Sequence, residues 1–275
     1  MIKIALAQFA VSRAWEDNAT TCLDFMSKAS QANARLLILP EGILARDIAD
    51  PALVRKAAQP LDGPFMAQIL EASRANDMTT VMCIHNPSED GRVWNNHIAV
   101  RNGEVIAQYY KLHLYDAFSA KESTQVIPGD SVPPLVEIDG LKVGLMTCYD
   151  VRFPEMARRL ADDGAELIVV SAAWHKGPLK EMHWNVMCTA RALENTCYLA
   201  GVGECGERNI GASLVVDPLG VVISSAGEQS TILYADIDPN RLAYARTVLP
   251  VLVNRRFARP VLINETLHHS KSAGQ

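Results

Sequence analysis

One coarse order of elements appears twice along this chain, and that repetition limits the folds open to it more than any other feature. Apolar runs and helical periodicity predict strand 2–10, helix 16–32, strand 35–40, helix 64–76, then strands near 79–84, 95–101 and 104–110. The second half predicts strand 141–148, helix 153–163, strand 166–171, helix 180–195, then strands near 197–203, 211–217 and 221–225. The helices are amphipathic: Ala19, Cys22, Leu23, Met26 and Ala29 share one face, and Met66, Ile69, Leu70 and Ser73 share another. Pro64 and Pro154 suit first helical turns, and Gly164 suits the residue after a helix end. Ile38-Leu39 and Leu167-Ile168-Val169-Val170 are continuous apolar runs of the kind covered on both faces.

Two helices per half cover only one face of each sheet. The bare faces must be buried, and stacking them against each other is the simplest solution. The expected fold is therefore α/β, a four-layer α-β-β-α sandwich forming one domain over residues 1–267, with a flexible tail at 268–275. An open doubly wound sheet is the rival, in which segments 95–110 and 211–225 would be peripheral.

Composition narrows the partners. The chain is 49% hydrophobic and 21% charged, ordinary for a globular protein. Its formal charge of -5, with no Lys/Arg stripe, argues against a nucleic-acid partner. No apolar run approaches a membrane span, and Met1–Gln8 reads as a strand rather than a signal peptide. The six cysteines contain no CxxC pair and read as reduced thiols of a cytoplasmic protein. No Cys/His spacing suggests a metal, and no cofactor is implied.

In open parallel sheets, chemistry gathers at the carboxyl ends of strands. Three reactive side chains stand at such ends: Glu41 after 35–40, Lys111 after 105–110, and Cys148 after 142–147. The repeat places Glu41 and Cys148 on facing sheets at one end of the sandwich. Cys148 lies on a strand-to-helix corner, where a helix dipole is expected to lower the thiol pKa. Glu41, beside apolar strands, is expected to have a raised pKa and to pass protons to and from the reacting groups. The Lys111 ammonium and the backbone N–H of Tyr149 would face an oxyanion formed on a carbonyl or nitrile carbon. The plainer alternatives are a buried core cysteine and a Glu41–Lys111 salt bridge at a loop end.

Other patterns are weaker. Gly201-Val202-Gly203-Glu204-Cys205-Gly206 matches GxGxxG, the only hint of a dinucleotide oxidoreductase, but a strand rather than a helix follows it. His113 could pair with Cys148 as a base, though a hydrogen-bonded structural histidine explains it better. His175 and His183 make no metal-binding helix pair, and Arg191 reads as an ion-paired residue of helix 180–195.

The segments LLILPEG, YYKLHLYD and GLMTCYDVRFPE, with HWNVMCTARALEN and GASLVVDPLG further on, resemble the signature blocks of the nitrilase (carbon–nitrogen hydrolase) superfamily over roughly residues 2–257. The family's catalytic Glu, Lys and Cys fall on Glu41, Lys111 and Cys148 in the same chain order. Its second glutamate falls on Glu122. The resemblance implies an α-β-β-α sandwich, a homodimer or higher homo-oligomer, and a thioester-forming amidase. A binding protein that kept the fold and lost turnover is the alternative class. The blocks are most similar to the Nit branch, which includes amidases of deaminated glutathione and of 2-oxoglutaramate. RALEN and VVDPLG favour deaminated glutathione, hydrolysed to 2-oxoglutarate and cysteinylglycine, with 2-oxoglutaramate or another small amide as the alternative. The stretch after Lys111 departs from the family's usual loop, so the pocket rim is expected to have its own shape. Such substrates carry an oxo-acid carboxylate, which Arg152 would grip, unless it pairs with Glu155 or Asp150 instead. Trp174 would form a pocket wall or belong to the core.

Overall fold

The computed structural model describes residues 1–47 and 49–264; the expected tail at 268–275 lies outside them. The strands are β1 (Ile2–Gln8), β2 (Leu36–Ile38), β3 (Thr79–Pro87), β4 (Val93–Arg101), β5 (Glu104–Tyr110), β6 (Val126–Ile127), β7 (Val136–Ile138), β8 (Leu141–Thr147), β9 (Leu167–Ala172), β10 (Tyr198–Gly203), β11 (Leu214–Val216), β12 (Val222–Ser225) and β13 (Thr231–Ile237). The helices are α1 (Trp15–Gln31), α2 (Leu53–Lys56), α3 (Pro64–Arg74), α4 (Pro154–Asp162), α5 (Lys180–Asn195), α6 (Pro239–Val248) and α7 (Val251–Asn254).

The strands form two sheets, ordered β13-β1-β2-β3-β4-β5, with β6 beside β4, and β12-β11-β10-β9-β8-β7. In the first, β1, β2 and β3 are parallel and β3-β4-β5 is an antiparallel meander. In the second, β8, β9 and β10 are parallel and β10-β11-β12 is the meander. The repeat read from the sequence is thus a repeat of topology.

Side-chain alternation explains the layers. On β1 and β2, Ile4, Leu6, Leu36 and Ile38 join the core between the sheets, while Ala5, Ala7, Leu37 and Leu39 face α1 and α3. Phe25, Met26, Phe65, Met66 and Ile69 cover that outer face. On the other side, Met156, Leu160, Trp184 and Cys188 of α4 and α5 cover the second sheet. Fully burying each of these large apolar side chains contributes about 1.5–3 kcal/mol, which makes the stacked arrangement the favourable one. The open-sheet rival fails because both meanders belong to the sheets.

The sequence reading did not include β6, β7, β13, α2, α6 or α7. β13 crosses from the second half to pair antiparallel with β1, and β7 pairs antiparallel with β8 at the equivalent position. β13 turns Leu233, Ala235 and Ile237 to the core between the sheets, while Tyr234 and Asp236 on its other face are exposed. The helix expected at 153–163 runs 154–162, and Gly164 follows it with φ +107° as a C-terminal stop. No helix among the described residues is long and apolar enough to cross a membrane.

Candidate active site

Glu41 lies just past β2. The chain turns sharply at Gly42, whose φ of +70° suits glycine. Backbone N–H groups of Gly42 and Ile43 both donate to the Cys83 carbonyl on β3. Glu41 is buried and its carboxylate is fully engaged. Lys111 Nζ (3.0 Å) and Asn95 Nδ2 (2.8 Å) donate to Oε1, and the Ala173 N–H donates to Oε2 at 2.9 Å.

Lys111 follows β5, its N–H donating to the Asn95 carbonyl and its own carbonyl accepting from Gly129. Its buried ammonium bridges Glu41 and Glu122, lying 2.8 Å and 3.0 Å from the Glu122 oxygens. Glu122 opens a 3₁₀ turn at 122–124 and is steadied by the Tyr115 N–H, 2.6 Å from its Oε2.

Cys148 follows β8 on the facing sheet and begins a 3₁₀ turn over 148–152; α4 starts only at Pro154. Its φ of +46° is a strained value for a cysteine, of order 1–3 kcal/mol, held by what flanks it. Thr147 and Asp150 form a reciprocal capping box around the turn, with the Thr147 N–H donating to Asp150 Oδ2 at 3.0 Å. Fully buried Asp150 also accepts from Tyr109 Oη and the His113 N–H, both at 3.0 Å. Arg191 Nε donates to the Val151 carbonyl at 2.9 Å, tying α5 to the same turn.

The electrostatics correct two expectations. The Cys148 thiol is pushed up, not down: burial dominates, Glu41 adds to it, and Lys111 opposes it too weakly. The helix dipole expected beneath it belongs to a short 3₁₀ turn. Glu41 moves the other way from expectation. Burial disfavours its charge, but Lys111, Arg46 and the hydrogen bonds from Lys111 and Ala173 outweigh that and hold the carboxyl below its ordinary range. Burial likewise works against the Lys111 charge, and Glu122 and Glu41 reverse the balance, raising its pKa. The resting arrangement is a neutral thiol beside a carboxylate–ammonium–carboxylate row.

Glu41, Lys111, Glu122 and Cys148 line one cavity of about 540 Å³, together with Tyr149, Arg152 and Trp174. Arg152 does not pair with Glu155 or Asp150. Its Cζ lies 4.7 Å from the Trp174 ring, its Nη2 is 3.4 Å from His183 Nδ1, and its buried Nε has no partner. Trp174 is both wall and core: it lines the cavity, lies tilted against Trp184 with ring centroids 5.3 Å apart, and its Nε1 donates to the Lys180 carbonyl.

The set-aside patterns resolve simply. His113 stacks on Phe153 at 3.7 Å and sits 2.7 Å from Asp150 Oδ1, so it braces the turn. Arg191 is paired with Glu194 as expected. The GxGxxG stretch leads from β10 into β11, and a Cβ at Gly203 would lie 1.9 Å from the Gly211 carbonyl oxygen. Gly201 instead makes room for the Trp184 side chain, and Gly206 for that of Glu204.

Asn95, Asp150, Arg46 and the Ala173 N–H were missed from the sequence. Thr147-Cys148-Tyr149-Asp150 is a capping-box pattern that could have flagged Asp150. The others have no local signal.

This geometry suits attack by sulfur on a carbonyl carbon, with a proton carrier and a fixed cation at hand. The match to the Carbon-nitrogen hydrolase family spans residues 3–247, so the chain belongs to that family and is a hydrolase of carbon–nitrogen bonds. Among curated proteins it is 49% identical to the deaminated glutathione amidase of Escherichia coli O157:H7, over 94% of this chain and 99% of that one. Among solved structures it resembles the C. elegans NitFhit protein, with a TM-score of 0.86 and 28% identity, covering 93% of this chain and 65% of that longer one. It also resembles a Glu→Gln variant of the amidase from Nesterenkonia sp. AN1, which carries an acetamide moiety covalently added at its active-site cysteine. That match has a TM-score of 0.81 and 25% identity, over 98% and 96% of the two chains.

Proposed function

We propose that this enzyme hydrolyses the amide bond of deaminated glutathione, releasing 2-oxoglutarate and cysteinylglycine. The observation that carries the reading is the Lys111 ammonium, fixed 3.0 Å from the Glu41 carboxylate in the cavity that holds the Cys148 thiol. The 49% identity to a deaminated glutathione amidase over nearly its whole length supports the substrate.

In this mechanism Cys148 is the nucleophile. Because the thiol is neutral at rest, its proton passes to Glu41 as sulfur attacks the amide carbon. The oxyanion forms against Lys111 Nζ and the Tyr149 N–H, which lies in the first turn of a 3₁₀ segment where N–H groups lack intrahelical partners. Glu41 returns the proton to the departing amine nitrogen, leaving a thioester on Cys148. A water then loses its proton to Glu41 and attacks the thioester, and the thiol is restored as the acid leaves. Glu122 keeps Lys111 charged and in place, and Arg152 over Trp174 takes the oxo-acid carboxylate.

Comparing kcat/KM for deaminated glutathione, 2-oxoglutaramate, an aliphatic nitrile and an N-carbamoyl amino acid tests the reading. A preference for 2-oxoglutaramate would make the enzyme an omega-amidase. A preference for nitrile or carbamoyl substrates would overturn the assignment.

The reading includes a homodimer in the cytoplasm. Met182, Val186 and Leu193 leave an exposed apolar stripe on α5, suited to a second copy. A monomer by sedimentation would reject that part.

A further inference from the structure

The cavity holds two guanidinium groups, each following a strand of a different sheet. Arg152 follows β8, the strand that carries Cys148. Arg46 follows β2, the strand that carries Glu41, and its Nη2 lies 3.9 Å from Glu41 Oε2, the oxygen turned away from Lys111. That contact is too long for a hydrogen bond. Arg46 Nε is buried with no hydrogen-bond partner among the described residues. The side chain lines the cavity and is 18% exposed. It packs over Gly42, where a Cβ would come within 2.8 Å of Arg46 Nη2, so the turn itself leaves room for the guanidinium.

Apart from the 3.9 Å contact with Glu41, no carboxylate among the described residues forms an ion pair with Arg46. Asp47, also on the cavity wall, is paired with Arg13. Glu204 accepts from the N–H groups of Val11 and Gly206 through Oε1, and its buried Oε2 has no hydrogen-bond partner among the described residues. The other cavity cations are placed differently. Lys180 Nζ donates to Tyr115 Oη at 2.8 Å, lies 3.7 Å over the Phe118 ring, and stands on the Trp174 side. Lys121 is exposed at the rim.

We propose that Arg46 binds the terminal carboxylate of the leaving dipeptide and so sets the enzyme's preference for a large amine leaving group. The proposal rests on the deaminated glutathione reading. Glu41 must protonate the departing nitrogen, so the leaving group lies on the Glu41 side of the reacting carbon. Near Arg46 in the chain the lining also includes Pro51 and Val54, with Asp47 engaged by Arg13, so a cation stands with apolar side chains. A cysteinylglycine unit presents a short side chain and, five bonds from the nitrogen, a carboxylate. A half-buried guanidinium whose Nε makes no hydrogen bond, and whose one ion contact is 3.9 Å long, is suited to recognise it. Ammonia, the leaving group of 2-oxoglutaramate, makes no use of this wall.

The test pairs a variant with an altered substrate. In Arg46→Met, the ratio of kcat/KM for deaminated glutathione to that for 2-oxoglutaramate should fall about 10- to 100-fold, the scale of one charge-assisted hydrogen-bonded contact. Deaminated glutathione capped as its C-terminal glycinamide should be a similarly poorer substrate of the wild type, and Arg46→Met should no longer distinguish the capped from the free acid. Equal losses on both oxo-acid substrates would overturn the proposal, since Arg46 would then act only through Glu41. A wild type indifferent to the glycinamide cap would overturn it even if the variant failed to fold. A cap effect that survives in Arg46→Met would assign the carboxylate to Lys121 or Lys180 and overturn it as well. A wild type that ignores deaminated glutathione would remove the underlying reading and this inference together, a result distinct from the others because no variant is needed to see it.

Discussion

Lys111 and Glu41 come from different strands of one sheet, 70 residues apart, and meet at 3.0 Å with 2% and 4% of their side chains exposed. A pair so buried is worth having only if every remaining donor and acceptor is met. Here Asn95, Ala173 and Glu122 meet them. The row therefore holds its charges at rest, and the cation is already in place when negative charge develops beside it.

Removing that cation should be costly twice. Lys111→Met is expected to lower kcat on the order of 10²-fold or more, with KM the lesser effect. It also leaves Glu41 and Glu122 without their shared partner, for a stability loss of about 3–5 kcal/mol. Steady-state rates and denaturant unfolding measure the two effects. Near-normal kcat in a folded variant would mean that the Tyr149 N–H suffices.

Glu41→Gln should stall turnover after or during acylation, because no group remains to take the proton from water. Peptide mass spectrometry after incubation with a slow substrate should locate the acyl group on Cys148. An adduct on Cys83 or Cys188 would reject the nucleophile.

Arg152→Met should lower kcat/KM for deaminated glutathione and 2-oxoglutaramate alike, by about 10- to 100-fold, because both carry the same oxo acid. If the variant instead loses its thermal transition, the arginine is structural.

Acid should destabilise the fold through its buried histidines. Burial pushes His85 and His97 down to about 3, whereas in the unfolded chain each titrates near an ordinary value of about 6.5. Between those values the unfolded state binds more protons, so stability falls as pH falls. Glu41, also held below its ordinary range, adds to the loss once pH drops below that range. Tm should be level above about pH 7 and decline steadily below about 6.5. His97→Gln should flatten the decline, and an unchanged slope would count against the assignment.

Free enzyme should alkylate slowly. With the Cys148 thiol raised by burial and Glu41, iodoacetamide at neutral pH should modify it more slowly than a small-molecule thiol, since the thiolate is the reactive form. Rapid modification would show a stored thiolate and restore the expectation of a lowered pKa.

Much of this was legible in the sequence because it is local. Apolar periodicity marked α1, α3, α4 and α5, proline and glycine marked their ends, and the doubled order of elements implied two stacked sheets. The ends of β2, β5 and β8 pointed to Glu41, Lys111 and Cys148 for the same reason: each stands where its own strand stops. β13 was not read: its alternation of Leu233, Ala235 and Ile237 with Tyr234 and Asp236 is short, and its place beside β1 is a contact between distant parts of the chain.

What tertiary structure decided was the state of those residues. A pKa depends on burial and on charges brought from elsewhere, so a helix dipole inferred beside Cys148 and an apolar setting inferred around Glu41 both gave the wrong sign. Asn95, Ala173 and Arg46 reach Glu41 only once β4, β9 and the loop after β2 converge. Sequence alone determined which side chains would arrive at one end of the sandwich. Packing determined which of them carry charge there, because the free energy of a buried charge is set by its neighbours in space.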